Sequence, residues 1–273
     1  MNTKEKLGLL RADVERRGTL AIAFSGGVDS VFLLKTAVDI LGHNVIALTV
    51  AADNFPGWEQ REAEAFAKAL DIRHVIIPWD ALTSPDFVEN GPDRCYFCKK
   101  ELLLRMLKTA REHGVPCLAD GSNADDDNDY RPGTRAAREL GIVSPLREAG
   151  LTKREIREQL REAGIAAWDK PSFACLASRF PYGMTITREG LRRVEMAENF
   201  FLGMGFRNIR VRHHGDLARI ELDASERERF FVEDLWNKVD TELCRIGYRY
   251  SALDLRGYRT GSMNESLSLP ENA

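Results

Sequence analysis

Two cysteines three residues apart, Cys95 and Cys98 in DRCYFCKK, and a third, Cys175, in KPSFACLASRFPYG, have the widest chemical reach in this chain. A CxxC serves as a redox pair, as half of a metal site, or as nothing but spacing. Five cysteines, an odd number, among 273 residues do not make a disulfide framework. Thiolate chemistry or metal ligation fits better. A structural zinc site needs four ligands, and the sequence offers no obvious fourth. Cys117, in an apolar run, and Cys244, at a helix end, read as small core residues.

The other chemical signal is AFSGGVDS, residues 23–30. Gly26 and Gly27 let backbone N–H groups approach phosphate oxygens, and the N-terminus of a following helix favours anions. Ser25 and Ser30 add hydroxyl donors. Asp29 suits an anion site only if a Mg²⁺ lies between it and the phosphates. The bland alternative is a tight turn capped by Ser25. The spacing matches neither the dinucleotide fingerprint nor the Walker A pattern. A later stretch, DGSNADDDNDYRPG (120–133), offers Asp120, Gly121, Ser122 and Asn123 to a nucleotide or metal; otherwise it is a solvated acidic loop.

The elements that position these residues are legible as alternation. Apolar runs at 19–25, 44–50, 73–79 and 115–122 alternate with helical spacing at 30–41, at 59–70 and through YFCKKELLLRMLKTAREHG. Strands alternating with helices predict a doubly wound, mostly parallel α/β sheet, with GIVSPL (141–146) as a last strand. The loop at 23–30 then lies between the first strand and the next helix, where such folds bind ligands. LTKREI predicts a capping box of Thr152 and Glu155 with Leu151 and Ile156 as its staple. Residues 168–187 are too rich in Pro, Gly and Ser for a regular element.

A small α+β unit follows: a helix over 188–203, and two strands in NIRVRHHGDLARIEL turning at His214–Gly215–Asp216. A helix opened by a second capping box, Ser225 and Glu228, and a final strand in YRYSALDL complete it. The expected domains are 1–167, a cysteine loop at 168–187, the small unit at 188–262 and a disordered tail at 263–273. Arg210 and Arg212 alternate on one strand and point to one face. Two such guanidiniums suit a phosphate, unless they are ordinary surface arginines. Glu198 and Glu221 read most simply as surface carboxylates.

Hydrophobic residues are 44% and charged ones 30%, ordinary for a soluble globular chain. A net charge of −3 gives no global basic field for long nucleic acid. The charged N-terminus has no signal-peptide core and no apolar run reaches bilayer length, so a cytoplasmic protein is expected.

SGGVDS resembles the pyrophosphate loop (PP-loop) of the ATP pyrophosphatase superfamily, which cleaves ATP between the α and β phosphates. Together with KPSFACLASRFPYG, DGSNADDDNDYRPG, RVRHHGDLARIEL and LDLRGYRTGSMNE, in this order from about residue 5 to 265, it resembles the LarE family. These are the ATP-dependent sulfur transferases of nickel-pincer nucleotide synthesis, the cofactor of lactate racemase. The resemblance implies a Rossmann-like PP-loop domain, ATP and Mg²⁺ as cofactors, and a pyridinium biscarboxylate mononucleotide as substrate. It further implies adenylation of a carboxylate, then its conversion to a thiocarboxylate.

By motif, Cys175 is the sulfur-bearing residue. Lys99, Ser178, Arg179, Arg210 and Arg212 are substrate contacts. Ser25, Gly26, Gly27, Asp29, Ser30 and Gly121 hold the nucleotide, Asp29 through Mg²⁺. One branch of the family sacrifices its cysteine sulfur. Another holds a [4Fe-4S] cluster on three cysteines, and Cys95, Cys98 and Cys175 supply that number. The CxxC is therefore read as a cluster site, with a redox pair serving Cys175 as the alternative. A sulfide or other sulfur donor and a homo-oligomer are also implied. A tRNA-thiolating PP-loop enzyme is the rival reading. The net charge, and the lack of a recognisable RNA-binding appendage, count against it.

Overall fold

The computed structural model describes residues 1–128, 132–171, 174–231, 234–259 and 262. The chain divides into two compact units, 1–80 with 95–173, and 81–94 with 174–273. The expected tail at 263–273 lies outside the described residues.

The chain runs α1 (Thr3–Arg17), β1 (Leu20–Ala23), α2 (Val28–Leu41), β2 (Val45–Ala51), α3 (Gly57–Ala69) and β3 (Arg73–Pro78). After α4 (Pro85–Val88), which belongs to the second unit, come α5 (Arg94–Glu112), β4 (Leu118–Ala119), α6 (Pro132–Glu139), α7 (Pro145–Glu148) and α8 (Lys153–Glu162). The four strands of the first unit are parallel, in the order β3-β2-β1-β4. Leu20, Ala21 and Ile22 of β1 are buried on both faces, as a central parallel strand requires. Strand β3 is more exposed and ends in Pro78, as edge strands do. Leu33 and Leu34 of α2, Leu10 and Val14 of α1, and Ile156 and Leu160 of α8 share the core with β1. Because β1 lies between β2 and β4, the chain leaves it toward opposite sides. This switch point opens a crevice at the carboxyl ends of β1 and β4.

The expected strand at 141–146 is reduced to a single bridge, Ala119 to Val143. Pro145 has no N–H for a ladder and instead opens α7. Cys117 is half-buried, with its Sγ 3.6 Å from Arg17 Nη1, and Cys244 is exposed, so Cys244 is not the core residue expected.

The capping box at α8 forms as the sequence predicts, and Glu155 does more than cap. It accepts from Thr152 N and Oγ1 (2.9 and 2.8 Å), Lys6 Nζ (2.8 Å) and Thr3 Oγ1 (3.0 Å). Burial opposes its ionisation, but these bonds outweigh burial and bring its pKa from 4.5 to about 2. Its stabilisation is therefore complete above pH 4.5 and is lost as pH falls toward 2. Glu155→Gln is expected to cost about 2 kcal/mol at neutral pH. In urea melts across this acid range, the gap between variant and wild type should close as pH approaches 2.

The second unit carries α4, α9 (Arg188–Gly203), β5 (Ile209–His214), β6 (Leu217–Leu222), α10 (Arg227–Phe230), α11 (Leu235–Ile246) and β7 (Tyr250–Leu253). β5 and β6 form an antiparallel hairpin through Gly215, whose φ of 68° is the left-handed value such a turn needs. β7 returns parallel to β6 after α10 and α11. Phe201, Ile209, Val211, Ile220 and Leu243 anchor the core. The single helix expected from Ser225 is broken. Asp223, not Ser225, provides the cap by accepting from Ser225 N (3.0 Å), and Asp234 at φ 59° interrupts the helix before α11.

Candidate active site

The loop between β1 and α2 builds the site in the first unit. Gly27 caps α2 without a side-chain bond, so the amides of the first turn keep no intrahelical partner. Gly26 adopts φ 72°, and a Cβ there would sit 3.2 Å from Ala63 Cβ of α3. Ser30 Oγ donates to Gly27 O (3.0 Å), which leaves Ser25 as donor in the 3.2 Å contact between the two hydroxyls. Ser25, Gly27, Asp29 and Ser30 line a cavity of about 340 Å³, and Lys99, Asp120, Gly121 and Ser122 line it with them. Phe24, Val50, Phe55 and Met106 provide apolar wall. Gly26 supports the loop from behind. Gly121 is required by a close approach: a Cβ there would lie 3.0 Å from Ser30 N.

The two aspartates of this cavity differ. Asp120 accepts from Lys99 Nζ (3.1 Å), Ser144 Oγ (2.8 Å) and Ser122 Oγ (2.9 Å). Burial opposes its charge, yet Lys99 and the two serines outweigh burial and lower its pKa. Asp29 pairs through Oδ2 with Lys153 Nζ, while its Oδ1 is buried with no hydrogen-bond partner of normal geometry among the described residues. Burial raises its pKa, Lys153 opposes that, Asp126 adds to it, and the nearby Asn123 side chain, too poorly aligned for a normal hydrogen bond, also lowers it. A buried carboxylate oxygen that no donor meets in normal geometry, beside a second acidic side chain, fits a Mg²⁺ carried in with a nucleotide. Lys153 is a site residue that the sequence did not single out.

In the second unit, Cys175 precedes a short turn, Leu176–Arg179, and its carbonyl accepts from Ser178 N (2.9 Å) and Arg179 Nη1 (3.1 Å). Arg179 also donates to Ala174 O (2.6 Å) and pairs with both oxygens of Glu198 (2.8 and 2.6 Å). It is fully buried, so in this structure it shapes the cysteine loop from within. Asn90 and Arg94 brace the same loop. Asn90 Nδ2 donates to Pro181 O (2.7 Å) and Met184 O (3.0 Å), and Arg94 Nη1 to Ala177 O (3.0 Å). Nothing in the sequence of 81–94 marks it as a support for this loop.

Arg212 donates to Ser178 O (3.0 Å) and Glu221 Oε2 (2.6 Å), and Arg210 lies over the Tyr258 ring at 4.9 Å. Glu198 and Glu221 are therefore not the surface carboxylates expected. Both are buried, because each meets a guanidinium that needs a counter-charge. Three buried arginines face two buried glutamates here, an excess of positive charge. Burial, and then the charge of Arg179, lower the pKa of Arg210, with Glu198 partly opposing. An anion at Arg210 would relieve this excess.

Cys95 and Cys98 occupy the first turn of α5, Cys95 exposed and Cys98 half-buried. None of the five cysteines, all of them described, is in a disulfide. Two thiols one turn apart at an accessible helix start suit metal or cluster ligation. Among the described residues, no three His, Cys, Asp or Glu side chains form a ready metal-sized group.

The parallel sheet, the open helix end at its switch point and the loop together define a PP-loop α/β fold. No family model matches the chain. It is 38% identical to an uncharacterised protein of Synechocystis sp., over 97% of this chain and 99% of that one. It is 37% identical to the pyridinium-3,5-bisthiocarboxylic acid mononucleotide synthase of Lactiplantibacillus plantarum, over 91% of this chain and 90% of the synthase. A more distant relative is the tRNA-specific 2-thiouridylase of Rickettsia rickettsii, 26% identical over 57% of this chain and 53% of that enzyme. The chain belongs to the LarE family and is an ATP-dependent sulfurtransferase. Among the described residues, no helix is long and apolar enough to cross a membrane.

Proposed function

We propose that the protein adenylates a carboxylate of a pyridinium-3,5-biscarboxylate mononucleotide and converts it to a thiocarboxylate. The observation that carries this reading is the phosphate-loop cavity, with its uncapped helix end and a buried Asp29 oxygen that no donor meets in normal geometry, in a chain similar to a named bisthiocarboxylate synthase over 91% of its length. Ser25, Gly27, Ser30 and the first-turn amides of α2 would hold the phosphates, and Asp29 the Mg²⁺, which would neutralise charge developing on the leaving pyrophosphate. A substrate carboxylate oxygen bonds to the α phosphorus, the α–β bridge breaks, and pyrophosphate leaves. A sulfur nucleophile then attacks the acyl carbon and AMP departs. Arg210 and Arg212 suit the mononucleotide phosphate, with Ser178 beside them, while Lys99 faces the nucleotide cavity.

Cys95, Cys98 and Cys175 would be the three thiolate ligands of a [4Fe-4S] cluster. When bound, it supplies an iron without a protein ligand, able to carry sulfide. In the alternative, Cys175 Sγ forms a thioester with the acyl group, and its own Cβ–S bond then breaks to leave dehydroalanine and the thiocarboxylate. The pairing of Cys95, exposed, with Cys98 one turn on at the start of α5 supports the cluster reading. Self-association and a cytoplasmic location belong to the same proposal.

The test is incubation of anaerobically purified protein with MgATP, sulfide and the mononucleotide. Pyrophosphate and AMP should appear only when the mononucleotide is present, and the product should exchange one oxygen for sulfur. About four iron and four labile sulfide per chain, lost in Cys95→Ala, are expected for the cluster. Nucleotide cleavage that instead depends on tRNA would overturn the substrate assignment.

A further inference from the structure

Lys170 stands five residues before Cys175 and has had no role so far. Its side chain is only 12% exposed, unusual for a lysine. Nζ donates to Gly26 O of the phosphate loop (3.1 Å) and to Glu62 Oε2 (2.7 Å), and lies 5.1 Å from the centre of the Trp58 ring. Trp58 and Glu62 share one face of α3, the helix against which Gly26 is packed through Ala63. One ammonium thus joins the loop, the helix behind it and the segment running on toward Cys175. The same segment is tied from its other side: Arg157 of α8 donates to Lys170 O (2.8 Å) and to Trp168 O, and Arg161 lies over the Trp168 ring at 5.8 Å.

The contact with Gly26 O has a geometric consequence. Gly26 C=O and Gly27 N–H belong to one planar trans peptide, so they point in opposite directions. Lys170 fixes the carbonyl, and with it the direction in which Gly27, a cavity-lining residue, presents its N–H. In the loop as it stands that N–H donates to Ser25 Oγ (3.3 Å), and a phosphate oxygen that takes over this long bond polarises the peptide more strongly and strengthens the carbonyl as an acceptor for the ammonium. Occupancy of the loop and the hold on Lys170 therefore favour each other, and such a coupling is reciprocal.

We propose that Lys170 is a positioning residue that couples nucleotide occupancy of the phosphate loop to the order of residues 166–171, which precede the cysteine loop in the chain. The inference rests on the reading that the loop takes MgATP and that Cys175 is the sulfur-bearing residue.

The probe is Mg²⁺ with α,β-methylene ATP, which cannot be cleaved at the bond in question. Binding is read by calorimetry, and segment order by amide hydrogen exchange resolved to residues 166–171. In the wild type the analogue should slow exchange there about fivefold. Lys170→Met should still bind it, with a Kd within about tenfold of wild type, but with exchange slowed less than about twofold. Lys170→Arg, which keeps the charge and donors, should recover most of the effect.

Equal slowing in Lys170→Met would overturn the inference and leave the functional reading intact. A loss of analogue affinity beyond about a hundredfold would place the ammonium on the phosphates and also overturn it. No binding by the wild type would instead overturn the reading of the loop. If exchange also rises throughout β1 and β2 in Lys170→Met, Lys170→Gln carries the same comparison.

Discussion

Cys175→Ser is expected to release pyrophosphate at a rate within about threefold of wild type, yet to form thiocarboxylate at least about a thousandfold more slowly. The two halves of this expectation have separate causes. Adenylation depends on the phosphate loop, Asp29 and the residues that orient them. The cysteine loop is held by backbone groups, since Ser178 N and Arg179 Nη1 bond to the Cys175 carbonyl and Arg94 to that of Ala177. Exchanging sulfur for oxygen touches none of these bonds, so the loop should keep its shape and lose only its nucleophile or ligand. Pyrophosphate release and product mass, followed on one sample, check the split. A parallel fall in both would mean that Cys175 serves adenylation. Cys95→Ala completes the comparison. Under the cluster reading it shares the loss of thiolation. Under the sacrificial reading it retains a single turnover, after which the mass of wild-type Cys175 falls by one H₂S.

Much of the first unit is legible in its sequence because parallel strands buried on both faces read as continuous apolar runs, as in Leu20–Ala23 and Val45–Ala51. The phosphate loop is legible for a different reason: its chemistry needs glycines and hydroxyls within a few consecutive residues. What escapes such reading is pairing across sequence distance. Lys153 meets Asp29 over 124 residues, and Lys170 meets Gly26 over 144. A lysine on a helix or in a linker carries no local mark of such a partner. Glu198 and Glu221 mislead in the same way, since a glutamate on a helix or strand looks solvated until a guanidinium is folded onto it. The 81–94 segment looks like a connection between β3 and α5, and only Asn90 and Arg94 in place show that it supports the cysteine loop. The break before α11 is a backbone matter: Asp234 takes a left-handed conformation that helical spacing cannot reveal.

Arg210 and Arg212 look equivalent in sequence, two residues apart on one strand, yet their replacement by methionine should have opposite consequences. Arg212→Met leaves Glu221, which is fully buried, with Arg219 at 3.2 Å as its remaining ion-pair contact among the described residues, and removes the bond to Ser178 O. An incompletely compensated buried carboxylate should cost about 3 kcal/mol, read as a lower urea midpoint with an unchanged slope. Arg210 has Arg179 and Arg212 as positive neighbours, and burial with Arg179 already disfavours its charge. An apolar side chain of similar length removes that repulsion, so Arg210→Met should change stability by less than about 1 kcal/mol, in either direction. Its effect should fall on binding. Losing a charge-assisted contact to the phosphate should weaken mononucleotide affinity by about ten- to a hundredfold. Affinity for the corresponding nucleoside, which lacks the phosphate, should not move. That contrast identifies the group that Arg210 meets. If Arg210→Met is instead as unstable as Arg212→Met, and binds both ligands equally poorly, then Arg210 serves the fold and the phosphate must be held elsewhere.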